Sequence, residues 1–162
     1  INSDLVNDLG NLCQRSLSMI EKRLDSTIPQ ITNKGREESV LDKSCEELLV
    51  KGSDLINEFK IHDYIRLVWE YIGKVNKYFN DNKPWELEKK DNEKFLNVLA
   101  VTVEQIKNIA IFINPIMPNT SIKIFQIMGI SETKFLFENM KAINLCGNKL
   151  SRVNHLFNRV QS

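Results

Sequence analysis

Glycine (6) and proline (4) are scarce in this 162-residue sequence, and a sandwich of many short strands would need more turn formers than that. Cysteine is scarce too. The three, Cys13, Cys45 and Cys146, are far apart, odd in number and without a CxxC pair, which fits neither a disulfide framework nor a zinc site. They are expected to be small apolar core fillers in a reducing compartment, Cys45 falling on an apolar helix stripe. Neither charge sign dominates: 22 Lys and Arg face 21 Asp and Glu, net +1, so the domain as a whole is no electrostatic trap for nucleic acid and any polyanion contact must be local. No apolar run approaches the roughly 18 to 20 residues of a bilayer span, and no basic-then-apolar segment opens the chain. No membrane contact and a cytoplasmic location are the expectations. What is present is 42% hydrophobic and 27% charged residues in 18.8 kDa, enough for a single folded domain over 1–162 with a core of its own.

Apolar periodicity assigns that core to helices. Residues 2 to 24 offer Asn2 or Ser3 as an N-cap and draw one stripe through Leu5, Leu9, Leu12 and Met19. The stretch 25–35 is dense in turn formers around Pro29 and reads as an ordered loop. From about 37 to 59, Leu41, Cys45, Leu48, Gly52, Leu55 and Phe59 step by 4, 3, 4, 3, 4; Ile61, Ile65, Val68, Ile72, Val75 and Phe79 repeat the rhythm. A further copy runs Leu96, Leu99, Val103, Ile106, Ala110, Ile113. These are the stripes of short antiparallel helices in an all-α bundle. Asn80 to Trp85 reads as a polar turn, Asn114-Pro115 as a helix stop, and Pro118 as the start of a short helix ending at Gly129. About 1–130 form the bundle. Residues 131–162 are less periodic, a short helix and a tail whose Leu156, Phe157 and Val160 look like anchors on another surface.

Catalytic signatures are missing: there is no Gly-rich phosphate loop, HExxH or GxSxG, and of two histidines His62 reads as solvent-facing near a helix start while His155 has no cysteine or acidic cluster nearby. No catalytic residue and no metal ligand set is expected. Asn119-Thr120-Ser121 matches a glycosylation acceptor formally but suits a helix-starting turn better. Recognition chemistry is the alternative. Asn11 and Arg15, four apart, stack on one face of the first helix, pairing an amide donor and acceptor with a planar donor fork, the equipment for reading a base edge. From spacing alone an ordinary solvated face is the simpler reading. Trp85, after Pro84, fits a plug at the end of the bundle as well as a base-stacking platform, whereas Trp69 beside an apolar stripe is expected to be largely buried.

The segment Asn2-Ser3-Asp4-Leu5-Val6-Asn7-Asp8-Leu9-Gly10-Asn11-Leu12-Cys13-Gln14-Arg15 resembles the opening of the anticodon-binding domain of bacterial methionyl-tRNA synthetases. The resemblance continues through Asn76-Lys77-Tyr78, Lys83-Pro84-Trp85, Ile109-Ala110-Ile111, Pro115-Ile116-Met117-Pro118 and Ile124 to Ile130, in order over nearly the whole chain. It implies an anticodon-binding bundle of the class Ia aminoacyl-tRNA synthetases. The family's full-length enzymes are methionine–tRNA ligases that use ATP and Mg in a catalytic domain; its His-Ile-Gly-His and Lys-Met-Ser-Lys-Ser signatures do not occur here, so this chain itself is expected to hold no cofactor.

By the same resemblance the domain recognises the CAU anticodon of initiator and elongator methionine tRNAs, with Asn11, Arg15 and Trp85 in the base-reading positions, and packs on its own catalytic domain; no DNA contact is implied. For this Trp85 must be partly exposed, and the early half of the first helix must share one end of the bundle with the turn at Trp85. Lys74, Lys77 and Lys83 lie near that turn in sequence and suit phosphates or an ordinary solvated face equally. The tail 154–160 resembles the family's Leu-Phe-Pro-Arg ending but has Asn158 where proline is usual. Two rivals are the bundle of a sister class I enzyme for leucine, isoleucine or valine, and a helical protein-interaction module.

Overall fold

In the computed structural model, residues 2–130 and 137–151 are described. They form α1 (Asn2–Arg23), α2 (Arg36–Asn57), α3 (Ile61–Asn82), α4 (Pro84–Lys90), α5 (Asn92–Ile113), α6 (Pro118–Ile127) and a 3-10 helix, Phe137–Ala142. The all-α bundle follows the apolar stripes. Leu41, Cys45, Leu48 and Gly52 of α2 and Ile65, Val68, Ile72, Val75 and Phe79 of α3 are all buried.

Side-chain pairings fix the directions. Glu37 meets Asn82, Ser44 meets Lys74, and Gly52 lies under Tyr64, so α2 and α3 are antiparallel. Gly52 is required there, because a Cβ would stand 2.9 Å from the Tyr64 ring. The Tyr64 hydroxyl donates to the Phe112 carbonyl and the Tyr71 hydroxyl to Gln105 Oε1, which lays α5 antiparallel to α3. Asp8 pairs with Trp69 and Arg15 with Asn80, so α1 runs parallel to α3. One end of the bundle therefore gathers the C-termini of α1 and α3, the N-termini of α2 and α5, and α4.

Helix α5 is buried on nearly every side from Val98 to Ile113. It also corrects the sequence expectation about apolar runs. By length and composition this 22-residue helix, mean hydropathy 1.4 over its best window, is apolar enough to cross a membrane, yet 89% of that window is buried within the protein. No unbroken apolar run marks it in the sequence because Glu104 and Lys107, set singly along it, interrupt the run.

Local chemistry sets the helix ends. The Gly35 N–H donates to Glu38 Oε1 at 2.9 Å, Asp91 Oδ1 accepts from the Lys94 N–H at 3.1 Å, and Pro84 and Pro118 occupy first turns. The Ser121 hydroxyl, in the first turn of α6, donates to Ala110 O at 2.6 Å and ties α6 to α5. The loop between α1 and α2 is ordered by Asn97, whose Oδ1 accepts from the N–H groups of Thr32 and Asn33 and whose Nδ2 donates to Asn33 O.

The polar turn expected at 80–85 is a correction. Asn80, Asp81 and Asn82 finish α3, and Pro84 opens a separate helix, with only Lys83 between them at φ +46. Three asparagines and aspartates before a proline read as a turn; tertiary packing keeps them helical, Asn82 Nδ2 bonding back to Tyr78 O and across to Glu37. Cys13 and Cys45 are core residues, but Cys146 is exposed, since it lies beside Gly147 in an exposed turn rather than on a helix stripe. Residues 137–151 pack on the bundle through buried Met140, Leu145 and Leu150 and through backbone bonds from Leu150 to Ser26 and from Gly147 to Ile28. The segment 154–160 and its anchors lie outside the described residues.

Candidate nucleic-acid interface

Lys83 is the pivot of the site. Its left-handed conformation turns the chain sharply between two helices, and buried Pro84 seats the first turn of α4 against the end of α3. Trp85 is thereby folded back on α3, its ring 6.1 Å from that of Phe79 in an edge-on arrangement, and it remains 46% exposed. Its partial exposure is as expected.

Arg15 completes the corner from α1. The guanidinium carbon lies 5.2 Å from the Trp85 ring centroid and 5.1 Å from that of Phe79, and one Nη donates to Asn80 Oδ1 at 2.6 Å. Two aromatic faces and a side-chain carbonyl thus hold an exposed cation in one place. The fork has five N–H donors, so the bond to Asn80 leaves others to bind a ligand.

Asn11 occupies the same face one turn earlier, exposed and with no hydrogen-bond partner among the described residues. It stands farther from α4 than Arg15 does. The ion pair between Arg23 and Glu88, 3.4 Å apart, marks the C-terminal half of α1, not its early half, as the part beside α4. The reason is the parallel course of α1 and α3, which carries α1 toward that end as it ascends.

The three lysines separate. Lys77 is paired with Asp81 at 2.8 Å, and Lys74 bonds Ser44 Oγ at 3.2 Å on the flank facing α2. Lys83 alone adjoins Trp85, exposed and unpaired among the described residues. Phe79 and Asn80, which the sequence offers only as a stripe residue and a turn residue, are the partners that orient Arg15. Their link to it spans 65 residues for Asn80, so no local spacing signals it.

Trp69 packs against the core with most of its surface covered, as expected. It sits on the seam between α1 and α3, where its indole N–H donates to Asp8 Oδ2 at 2.6 Å. His62 is exposed in the first turn of α3, as expected, and among the described residues no group of three or more His, Cys, Asp or Glu could hold a metal ion.

The fold and this corner define a class: an all-α bundle with an exposed tryptophan and arginine held together at one end. The sequence model of the family described as the anticodon binding domain of methionyl tRNA ligase matches residues 28–162, and the chain belongs to that family. Curated relatives extend the match across α1. The methionine–tRNA ligase of Caldanaerobacter subterraneus subsp. tengcongensis is 32% identical over 163 aligned residues, 99% of this chain and 26% of that protein. That of Thermotoga maritima is 35% identical over 82% of this chain and 21% of its own. Among solved structures, the free-state methionyl-tRNA synthetase of Mycobacterium tuberculosis superposes with TM-score 0.92 at 32% identity, over 99% of this chain and 33% of that one. The chain thus spans about a quarter of the length of the curated relatives it matches. Membership in this family decides against the sister enzymes for leucine, isoleucine and valine.

Proposed function

We propose that this domain reads the CAU anticodon of initiator and elongator methionine tRNAs, in the cytoplasm, on behalf of a full-length methionine–tRNA ligase. The observation that carries the proposal is the contact between Arg15 and Trp85, 5.2 Å from guanidinium to ring, in a chain whose family is described by anticodon binding. Anticodon bases are single-stranded and can be splayed out to expose both their faces and their Watson–Crick edges. A half-exposed indole offers a face, and stacking a base on it contributes about 1 to 3 kcal/mol. The guanidinium over the same ring keeps N–H donors free for the edge of a base. Asn11, one turn down the same helix face, supplies an amide able to donate and accept, and Lys83 beside Trp85 is the cation best placed for a phosphate. The pairing of one face with one set of edge donors is the minimum needed to distinguish cytosine at the first anticodon position from the other bases.

The rest of the reaction belongs to the remainder of the ligase, a catalytic domain that activates methionine with ATP and Mg and on which the C-terminal residues of this chain dock. A solved relative carries methionyl-adenylate. The test is a titration of the chain with two anticodon stem-loops, one CAU and one altered at the first anticodon base. Preference for CAU is expected, with no ATP–pyrophosphate exchange by the chain alone. Equal binding of both loops, or measurable exchange, overturns the reading.

A further inference from the structure

Nothing in the fold requires the glycine at position 73. Gly52 lies under the Tyr64 ring, Gly129 and Gly147 hold φ of +71 and +81, Gly35 is the N-cap of α2, and Gly10 is buried within α1. Gly73 has none of these reasons. It is exposed in the middle of α3, its φ is not positive, and a Cβ added there would meet nothing within 4 Å. Glycine is a weak helix former, so alanine at this position would stabilise α3.

Its place on the surface is the clue. Trp69, Gly73, Asn76 and Asn80 step by 4, 3 and 4 and share one face of α3, while Asp8, Asn11 and Arg15 step by 3 and 4 along α1. The two faces meet: the Trp69 indole donates to Asp8 Oδ2 at 2.6 Å, Asn76 Nδ2 to Asp8 O at 3.5 Å, and Arg15 to Asn80 Oδ1 at 2.6 Å. Gly73 therefore interrupts a seam lined with hydrogen-bonding side chains. It leaves bare backbone within about one helical turn of the level of Asn11, whose exposed amide has no partner among the described residues.

Charge permits a polyanion here. From Gly73 up to the Trp85 corner the facing stripes carry Asn11, Asn76, Asn80 and Arg15, three amides and a guanidinium, with no acid among them. Asp81, on the flank of α3, is paired with Lys77 at 2.8 Å. Asp8 closes the lower end of the stretch, its carboxylate bonded to the Trp69 indole.

We propose that Gly73 is an RNA contact: the strand whose base stacks on Trp85 runs down the seam between α1 and α3, and a neighbouring nucleotide lies flat on the bare backbone of Gly73 with its edge toward the Asn11 amide. The proposal rests on the anticodon reading above. Gly73 lies about 9 Å along the axis of α3 from Phe79, the residue whose ring Trp85 touches, within reach of the nucleotides that adjoin the stacked one. A base or ribose approaches a helix to van der Waals contact where no Cβ intervenes, and any side chain at position 73 would occupy that space. The Asn11 amide offers the edge both a donor and an acceptor.

The test has two arms. In the first, a fluorescently labelled CAU stem-loop is titrated with the chain and its Gly73→Ala, Gly73→Leu and Trp85→Ala variants, and each protein is melted. Gly73→Ala is expected to raise the melting temperature by about 2 to 4 °C, and Gly73→Leu to melt no lower than the wild type. Binding should weaken about three-fold in the first and about ten-fold in the second. A variant that is more stable and binds less well is not explained by damage to the fold. In the second arm, Gly73→Cys and, separately, Val50→Cys on α2 are alkylated with iodoacetamide in a Cys146→Ser background, Cys13 and Cys45 being buried. Excess stem-loop should slow alkylation at position 73 and leave position 50 unchanged. Wild-type affinity of both Gly73 variants, no protection of Gly73→Cys, or a lower melting temperature of Gly73→Ala, with Trp85→Ala weakened, overturns the seam contact and leaves the anticodon reading standing. No effect of Trp85→Ala, or no binding by the wild type, overturns the anticodon reading and the contact with it.

Discussion

The two tryptophans occupy neighbouring parts of the same seam and are treated in opposite ways. Trp69, in the middle of α3, is wedged against α1 with its indole N–H bonded to Asp8. Trp85, one helix later, leaves nearly half its surface open and its N–H without a partner among the described residues. Packing alone satisfies the first. The second is an apolar ring held at the surface by Phe79 and an arginine, an arrangement that stabilises the fold less than burial would and, on the proposed anticodon reading, leaves a face for a base. Residue type and distance from the apolar stripe do not separate the two; polar satisfaction does.

The sharpest way to break this comparison is to truncate each ring. Trp69→Ala should cost about 3 kcal/mol of unfolding free energy in urea, through lost packing and an orphaned Asp8, with stem-loop affinity retained where the variant is folded. Trp85→Ala should do the reverse, weakening the CAU stem-loop by about 1 to 3 kcal/mol and shifting the urea midpoint little. A Trp85→Ala variant that fails to fold would make both rings structural.

Alkaline pH attacks the packed side of the comparison next. Burial pushes the Cys45 thiol up to about 11 from 9.0 and raises the Cys13 thiol and the Tyr64 phenol as well. For the thiols the raised folded pKa contributes stability that is fully present below pH 9 and is lost as pH rises above it, through about 11 for Cys45, because the unfolded chain ionises first; the Tyr64 phenol joins only above pH 10. The loss is about 1.4 kcal/mol per pH unit for each such group. Urea midpoints at pH 8 and pH 10.5 should fall accordingly, and less steeply in Cys45→Ala.

Two smaller changes address the corner itself. Arg15→Lys keeps the charge but loses the planar fork that Phe79, Trp85 and Asn80 hold, so discrimination at the first anticodon base should shrink by about 1 to 2 kcal/mol with stability nearly unchanged. Lys83→Gly relieves the left-handed backbone and should raise stability by up to about 1 kcal/mol while removing a cation beside Trp85. Thermal melts and salt-dependent binding separate those two effects, and a loss of stability would mean that the Lys83 side chain, rather than its backbone, holds α4.

Much of the bundle is legible in the sequence because burial there is periodic: the stripes predict the buried Leu41, Cys45, Leu48 and Gly52 of α2 and Ile65, Val68, Ile72, Val75 and Phe79 of α3, and fail where the two helices meet, since α2 ends at Asn57, Phe59 is exposed in the turn at φ +61, and Ile61 at the start of α3 is exposed as well. Helix α4 was legible in principle, with Pro84 at its first position, Glu86 in its first turn and Lys89 and Lys90 in its last, but seven residues carry too little periodicity to outweigh Asn-Asp-Asn-Lys before them. The site is legible only in part. Asn11, Arg15 and Trp85 stand out once the family pattern is seen, yet Asn80 and Phe79 act on Arg15 across more than sixty residues, and such contacts leave no trace in spacing. Cys146 misled for the converse reason, since the burial typical of its residue type says nothing about a turn.

Helix α5 carries a consequence for the order of synthesis. It is apolar on almost all sides, and α1 to α4, four of the six described helical elements that cover it, precede it in the chain. As the polypeptide leaves the ribosome from its N-terminal side, those helices are already outside when this greasy segment emerges, and among the described elements α6 and the 3-10 helix have still to follow. A circular permutant that began at Asn92 would reverse the sequence of events, presenting a membrane-like segment to solvent and to the secretion machinery before anything existed to shelter it.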